Sequence, residues 1–166
     1  MTGIILLERL KDFTEEAIKD LLLPVAQQRG DPAPPAPRAA GVYCMRLPDG
    51  RAADKKAPYV IHQILTRKDT QTPEQGPTAF ATVRTIFCVY HQDEQEGGLA
   101  LLNLMERLRI ALLQKGVVGK QFILNRREGL ESLIYPDGTA PYYAGEMISV
   151  WKMPTVERII SNEKDN

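Results

Sequence analysis

FATVRTIFCVYH, residues 80–91, is the most strand-like stretch in the chain and sets how everything around it is read. Val83, Thr85, Phe87 and Val89 alternate with Arg84, Ile86, Cys88 and Tyr90, the two-residue period of extended backbone. Apolar groups occur in both sets, which predicts a central strand covered on both faces. Before it, GVYCMRLP (41–48) and APYVIHQILTR (57–67) are strand-like, with Asp49-Gly50 between them as a hairpin signal. The RAADKKA that follows lengthens the expected hairpin and gives it a basic tip. After it, KQFILNR (120–126) predicts a short strand and YPDGTAP (135–141) a turn. YYAGEMISVWKMP (142–154) predicts a long last strand that closes the sheet, carries the single tryptophan and stops at a proline.

Two helical patterns frame these strands. IILLERLKDFTEEAIKDLLLPVAQQ (4–28) places Leu6, Leu10, Phe13, Ala17 and Leu21 close to one face. Thr14 before Glu15 and Glu16 is a candidate cap for a second short helix, and Pro24 kinks or ends the segment because it lacks an amide hydrogen. Gly97 and Gly98 open the second helix, LALLNLMERLRIALLQK (99–115). Leu101, Leu104, Met105, Leu108 and Leu112 make its apolar stripe, with Glu106, Arg107, Arg109 and Gln114 away from it. Gly116 and Gly119 stop it. DPAPPAPR (31–38) predicts a stiff, extended connector. KDTQTPEQGPTA (68–79) is polar and is expected, like 48–58, to be a mobile loop. The order α, β, β, β, α, β, β predicts one α+β domain over residues 1–166. Its single mixed, largely antiparallel sheet has four to five strands, packed with two main helices on one face.

At 166 residues, 43% hydrophobic and 25% charged, the chain suffices for one good core. Lys plus Arg and Asp plus Glu both number 21. Zero net charge argues against tight, charge-driven nucleic-acid binding. MTGIILLERLKDF lacks the basic and apolar regions of a signal peptide. No apolar run approaches the ~18 residues of a membrane span, so a soluble, intracellular product without a membrane partner is expected. Cys44 and Cys88 read as buried, reduced thiols, with a disulfide between them left open. His62 and His91 lack metal-ligand spacing, and Asp93 and Glu94 sit at a helix start, where acids favour the dipole. GVVGKQ (116–121) leaves a helix rather than entering one and lacks the Ser or Thr of a phosphate loop. Ser132, Ser149 and Ser161 stand in no catalytic motif. No catalytic, cofactor or metal residue is assigned, and a protein that binds rather than reacts is expected.

The run RTIFCVYHQD, then the Gly-led helix LALLNLMERLRIALL, a short strand and YYAGEMISVWKMPTVER resembles the tail terminator (tail completion) proteins of long-tailed bacteriophages and prophages. It is clearest over residues 80–154 and extends by order of elements to the N-terminal helix, while the Pro-rich insert at 31–38 departs from the pattern. The resemblance implies a non-enzymatic virion protein of the tail or neck, assembled in the bacterial host cytoplasm. It implies a hexameric ring that sits on the finished tail tube, ends its polymerisation and offers a joining surface to the head or neck connector. DNA is then only passing cargo. A chain of this size is about 40 Å across, and six in a ring leave a hole about one subunit wide. Tyr142, Tyr143 and Trp151 then either fill the core or anchor a neighbour. Arg51, Lys55 and Lys56 on the basic tip are candidates to meet an acidic partner surface. The alternatives are a head-closure or adaptor (neck) protein of the same machinery, or a small ligand-binding or hydrolytic α/β domain whose site forms only in three dimensions.

Overall fold

The computed structural model describes residues 2–48, 57–136 and 139–159. In chain order the elements are α1 (Gly3–Ile18), β1 (Gly41–Cys44), β2 (Tyr59–Thr72), β3 (Gly76–Tyr90), α2 (Glu94–Lys115), β4 (Val117–Val118), β5 (Phe122–Leu124), β6 (Leu130–Ile134) and β7 (Tyr142–Lys152). The class is α+β, but the expected four to five strands become seven in one curled, mixed sheet. Their order is β1-β2-β3-β7-β5-β4, with β6 also on β7. The extra strands are short: β4 has 2 residues, β5 has 3 and β6 has 5. Such lengths carry almost no two-residue periodicity, so the pattern in the sequence is silent about most of them.

β1 runs parallel to β2, with Gly41 opposite Tyr59 and Cys44 opposite His62. This overturns the hairpin read from Asp49-Gly50, a signal that fixes strand direction only in a two-residue connection. Residues 45–58 separate β1 from β2, long enough to bring the chain back to the starting end of β1. Asp49, Gly50, Arg51, Lys55 and Lys56 lie outside the described residues.

The segment 68–79 is also corrected. Lys68–Thr72 and Gly76–Ala79 continue β2 and β3 in register, from Lys68 opposite Phe80 to Thr72 opposite Gly76. Gly76, at φ 69°, supplies the left-handed residue that leaves the turn. The Thr70 and Thr78 hydroxyls bond across the ribbon at 2.5 Å. Polarity misleads here because the ribbon is largely solvated on both faces and is held by backbone pairing.

β3 is central, as its alternation suggests, between β2 and β7. Ala79, Ala81, Val83, Thr85, Phe87 and Val89 are buried on the inner face, where α1 and α2 pack on the sheet and on each other. On the outer face Phe80, Thr82, Arg84, Ile86 and Tyr90 are only half-buried. The expected cover on both sides is therefore corrected to one. β7 is internal rather than closing: β3 occupies one edge along its length, and β5 and β6 share the other.

α1 is a single helix, and Thr14 is a buried interior residue rather than a cap. α2 begins earlier than the glycines suggest. Asp93 caps it, its carboxylate accepting from the Gln95 and Glu96 amides at 2.9 and 3.1 Å. Gly97 then lies inside the first turn, where the Tyr143 ring packs so closely that a Cβ would overlap it. At the other end Gly116, at φ 68°, donates its N–H to the Leu112 carbonyl at 2.8 Å. The expected stripe of Leu101, Leu104, Met105, Leu108 and Leu112 is buried. The Pro-rich segment leaves and returns through a paired bridge, Leu23 N to Arg38 O at 2.8 Å and Arg38 N to Leu23 O at 3.0 Å. It is an out-and-back loop on the domain.

Candidate interaction surfaces

Residues that share one side of a strand pair decide what the uncovered sheet face presents. Opposite residues across β3 and β7 point the same way, so Tyr90 with Tyr142, Cys88 with Ala144, Ile86 with Glu146, Arg84 with Ile148 and Thr82 with Val150 make up the outer face. Leu133 of β6 joins it opposite Glu146. A one-sided antiparallel sheet usually turns polar groups outward. This face instead keeps Phe80, Ile86, Ala144, Ile148 and Val150 half-buried and Leu133 exposed.

The polar groups in the middle of that face satisfy one another. Arg84 Nε is paired with Glu146 Oε2. Arg84 Nη2 donates to the Tyr135 hydroxyl at 3.0 Å, and that hydroxyl donates to Glu146 Oε2 at 3.0 Å. The Tyr135 and Glu146 hydrogen bonds raise the Arg84 pKa further above its ordinary value. The cluster neutralises the middle of the face, while Lys152, opposite Phe80, and Glu131, opposite Ile148, put charges at its margins.

α2 carries a second apolar row on its far side. Leu99, Leu102, Ile110 and Leu113 are 57%, 42%, 44% and 40% exposed. Beside Leu99 a concavity of about 410 Å³ opens between α2 and the 21–24 segment, lined by Leu22, Pro24, Ala100 and Asn103 among others. A third feature is basic: Arg126, Arg127 and Lys152 line a cleft of about 550 Å³ across the exposed Ile123 of β5. None of those three cations is ion-paired among the described residues.

The three aromatic candidates separate. Trp151 is fully buried, its Nε1 donating to Ser149 Oγ at 2.9 Å, so it fills the core and anchors nothing outside. Tyr143 points inward against Gly97, and its buried hydroxyl has no hydrogen-bond partner among the described residues. Burial first, and then the Glu94 and Asp93 charges, push that hydroxyl pKa up. Tyr142 alone is exposed, tilted against Tyr90 with ring centroids 5.6 Å apart. Arg51, Lys55 and Lys56 lie outside the described residues. Cys44 and Cys88 are free thiols on opposite faces of the sheet, Cys44 level with His62 and Cys88 with Tyr59.

His62 is the one buried histidine. Thr14 donates its single hydroxyl proton to the Leu10 carbonyl at 2.7 Å. His62 Nε2, 2.8 Å from that oxygen, must therefore donate to it, and Nδ1 accepts from Thr85 Oγ1 at 2.9 Å. The neutral ring is fully used in tying α1 to the sheet. Among the described residues no group of three or more His, Cys, Asp or Glu side chains is placed to hold a metal ion. No described helix is long and apolar enough to cross a membrane.

The sequence reading missed the outer sheet face and the exposed row on α2. The second was legible: Leu99, Leu102, Ile110 and Leu113 repeat at helical spacing on their own, hidden only by the stronger stripe beside them. The first was hidden because apolar groups in both sets of residues 80–91 read as cover on both faces, although both helices were expected on one. Comparison with family models and with curated proteins finds no match for this chain.

Proposed function

We propose that this chain is a structural subunit that works by mating surfaces: a tail-terminator-like phage or prophage protein. In this reading it assembles as a homo-oligomeric ring on the end of the tail tube, stops tube growth and provides the joining surface for the head or neck. The observation that carries the proposal is the outer sheet face, apolar at Phe80, Ile86, Ala144, Ile148 and Val150 around a self-satisfied Arg84–Glu146–Tyr135 cluster. An adjoining subunit can cover the centre of such a face without stranding a charge, with Lys152 and Glu131 left at the rim. The β2–β3 ribbon supports the same reading, since its turn end extends past the last β3–β7 pair, Phe80 with Lys152, and can reach beyond its own subunit.

The test is to add the purified protein to polymerising tail tubes and measure tube lengths by electron microscopy. The wild type should shorten and narrow the length distribution. The double replacement Ile86→Arg with Ile148→Arg should abolish that effect while leaving the circular dichroism spectrum unchanged. Tubes that grow to the same lengths with and without the wild type would remove the reading.

A further inference from the structure

A helix that is apolar on two sides is built to be covered on both. The inner stripe of α2 is buried in the subunit, and the outer row of Leu99, Leu102, Ile110 and Leu113 is left open. At 3.6 residues per turn those four fall within an arc of about 80°, along a strip about 21 Å long. Scattered exposed leucines need no explanation, but a row aligned over four turns does.

The row is symmetric about its own centre. Leu99 and Leu113 each stand seven positions from Glu106, and Leu102 and Ile110 each stand four. Glu106 lies on the same line and is held by Arg109, with Nε to Oε1 at 3.0 Å and Nη2 to Oε2 at 2.6 Å. The charges at the two ends are opposite: Asp93, Glu94 and Glu96 at the start, Lys115 and Lys120 at the finish.

We infer that this row is a two-fold contact surface for a second copy of the chain, α2 against α2, antiparallel, with Glu106 on the axis. Antiparallel packing sets Leu99 against the partner's Leu113 and Leu102 against the partner's Ile110, apolar on apolar along the whole strip. It brings the acidic start of one helix to the basic finish of the other and opposes the two helix dipoles. A parallel pair would stack like ends together and align the dipoles. At the axis each Glu106 arrives with its own Arg109, so two carboxylates meet two guanidiniums. The concavity beside Leu99, between α2 and the 21–24 segment, adjoins the end of the strip to which antiparallel pairing brings the partner's Leu113. The strip is smaller than a standard interface, so the dimer depends on protein concentration. An isologous contact closes with two copies. It is therefore separate from the head-to-tail contacts of a ring, and it stands or falls independently of the tail-terminator reading.

Sedimentation over a micromolar concentration series should show monomer passing to dimer. Leu102→Glu with Ile110→Glu should remove the dimer and leave the circular dichroism spectrum intact. The geometry is read by single cysteines in a Cys44→Ser, Cys88→Ala background. Glu106→Cys should cross-link to itself on oxidation, and an equal mixture of Leu99→Cys and Leu113→Cys chains should cross-link to each other more than either does alone. A monomer at every concentration, a dimer that survives the double glutamate, or preferential self-cross-linking of Leu99→Cys would each overturn the inference.

Discussion

His62 shows how one buried group ties chemistry to stability. Burial lowers its pKa from 6.5 to about 4 by disfavouring the charged ring. The folded pKa lies below the unfolded one, so the folded chain binds fewer protons as pH falls. The contribution is complete above pH 6.5 and is lost on the way down to about 4, at about 1.4 kcal/mol per pH unit. Urea unfolding at stepped pH should show this slope, and His62→Gln should flatten it between pH 6.5 and 5, above the range where most carboxylates titrate. Tyr143 and Gly97 give a second residue-scale prediction. The ring leaves no room for a Cβ at Gly97, so Gly97→Ala should cost about 1–3 kcal/mol through overpacking. Tyr143→Phe removes a buried hydroxyl that has no partner among the described residues, and should leave unfolding free energy equal or higher.

Among the elements, α2 has the most explicit instructions. Asp93 satisfies two orphan amides, and Glu94 and Glu96 sit in the positive first turn. Asp93→Ala should lower stability by about 1 kcal/mol in chemical denaturation, while a loss within error would mean that the cap is redundant with tertiary packing. The β2–β3 ribbon follows a different logic. Its sequence is polar because its far half has no layer to pack on, yet thirteen residue pairs from Tyr59–Cys88 to Thr72–Gly76 hold it in one register apart from the break at Leu65. That break, between Ile64 and Thr66, inserts one residue where the ribbon leaves the core, the position at which a bulge bends and twists a strand pair.

For the whole molecule, the placement of Trp151 gives a direct readout. It is the only tryptophan, lies fully buried on the inner face and packs in the same core as Leu6, Phe87, Leu104 and Leu108. Its emission should be blue-shifted in the folded chain and should not move when subunits associate. On adding urea it should shift to the red in one transition that coincides with loss of helix signal. A spectral change on association without unfolding would place a partner beside Trp151 and contradict the buried position. The two uncovered surfaces, the outer sheet face and the α2 row, have their own tests by assembly and by cross-linking. They are distinguishable because arginines at Ile86 and Ile148 and glutamates at Leu102 and Ile110 act on different sides of the subunit.

The sequence alone determined the helical start of the chain, the central strand at 80–91, the buried stripe of α2 and its glycine stop, because each is a local periodicity or a local backbone requirement read within one element. It also carried the second row on α2, which is a pattern of the same kind. Strand direction at β1, the extension of β2 and β3 through 68–79, the internal position of β7 and the burial of Trp151 were decided only by the tertiary structure. These depend on which elements lie side by side. A two-residue alternation says that a face differs from its opposite, and the order of elements puts both helices on one face, but only the packed structure says which face that is and which is left for another molecule.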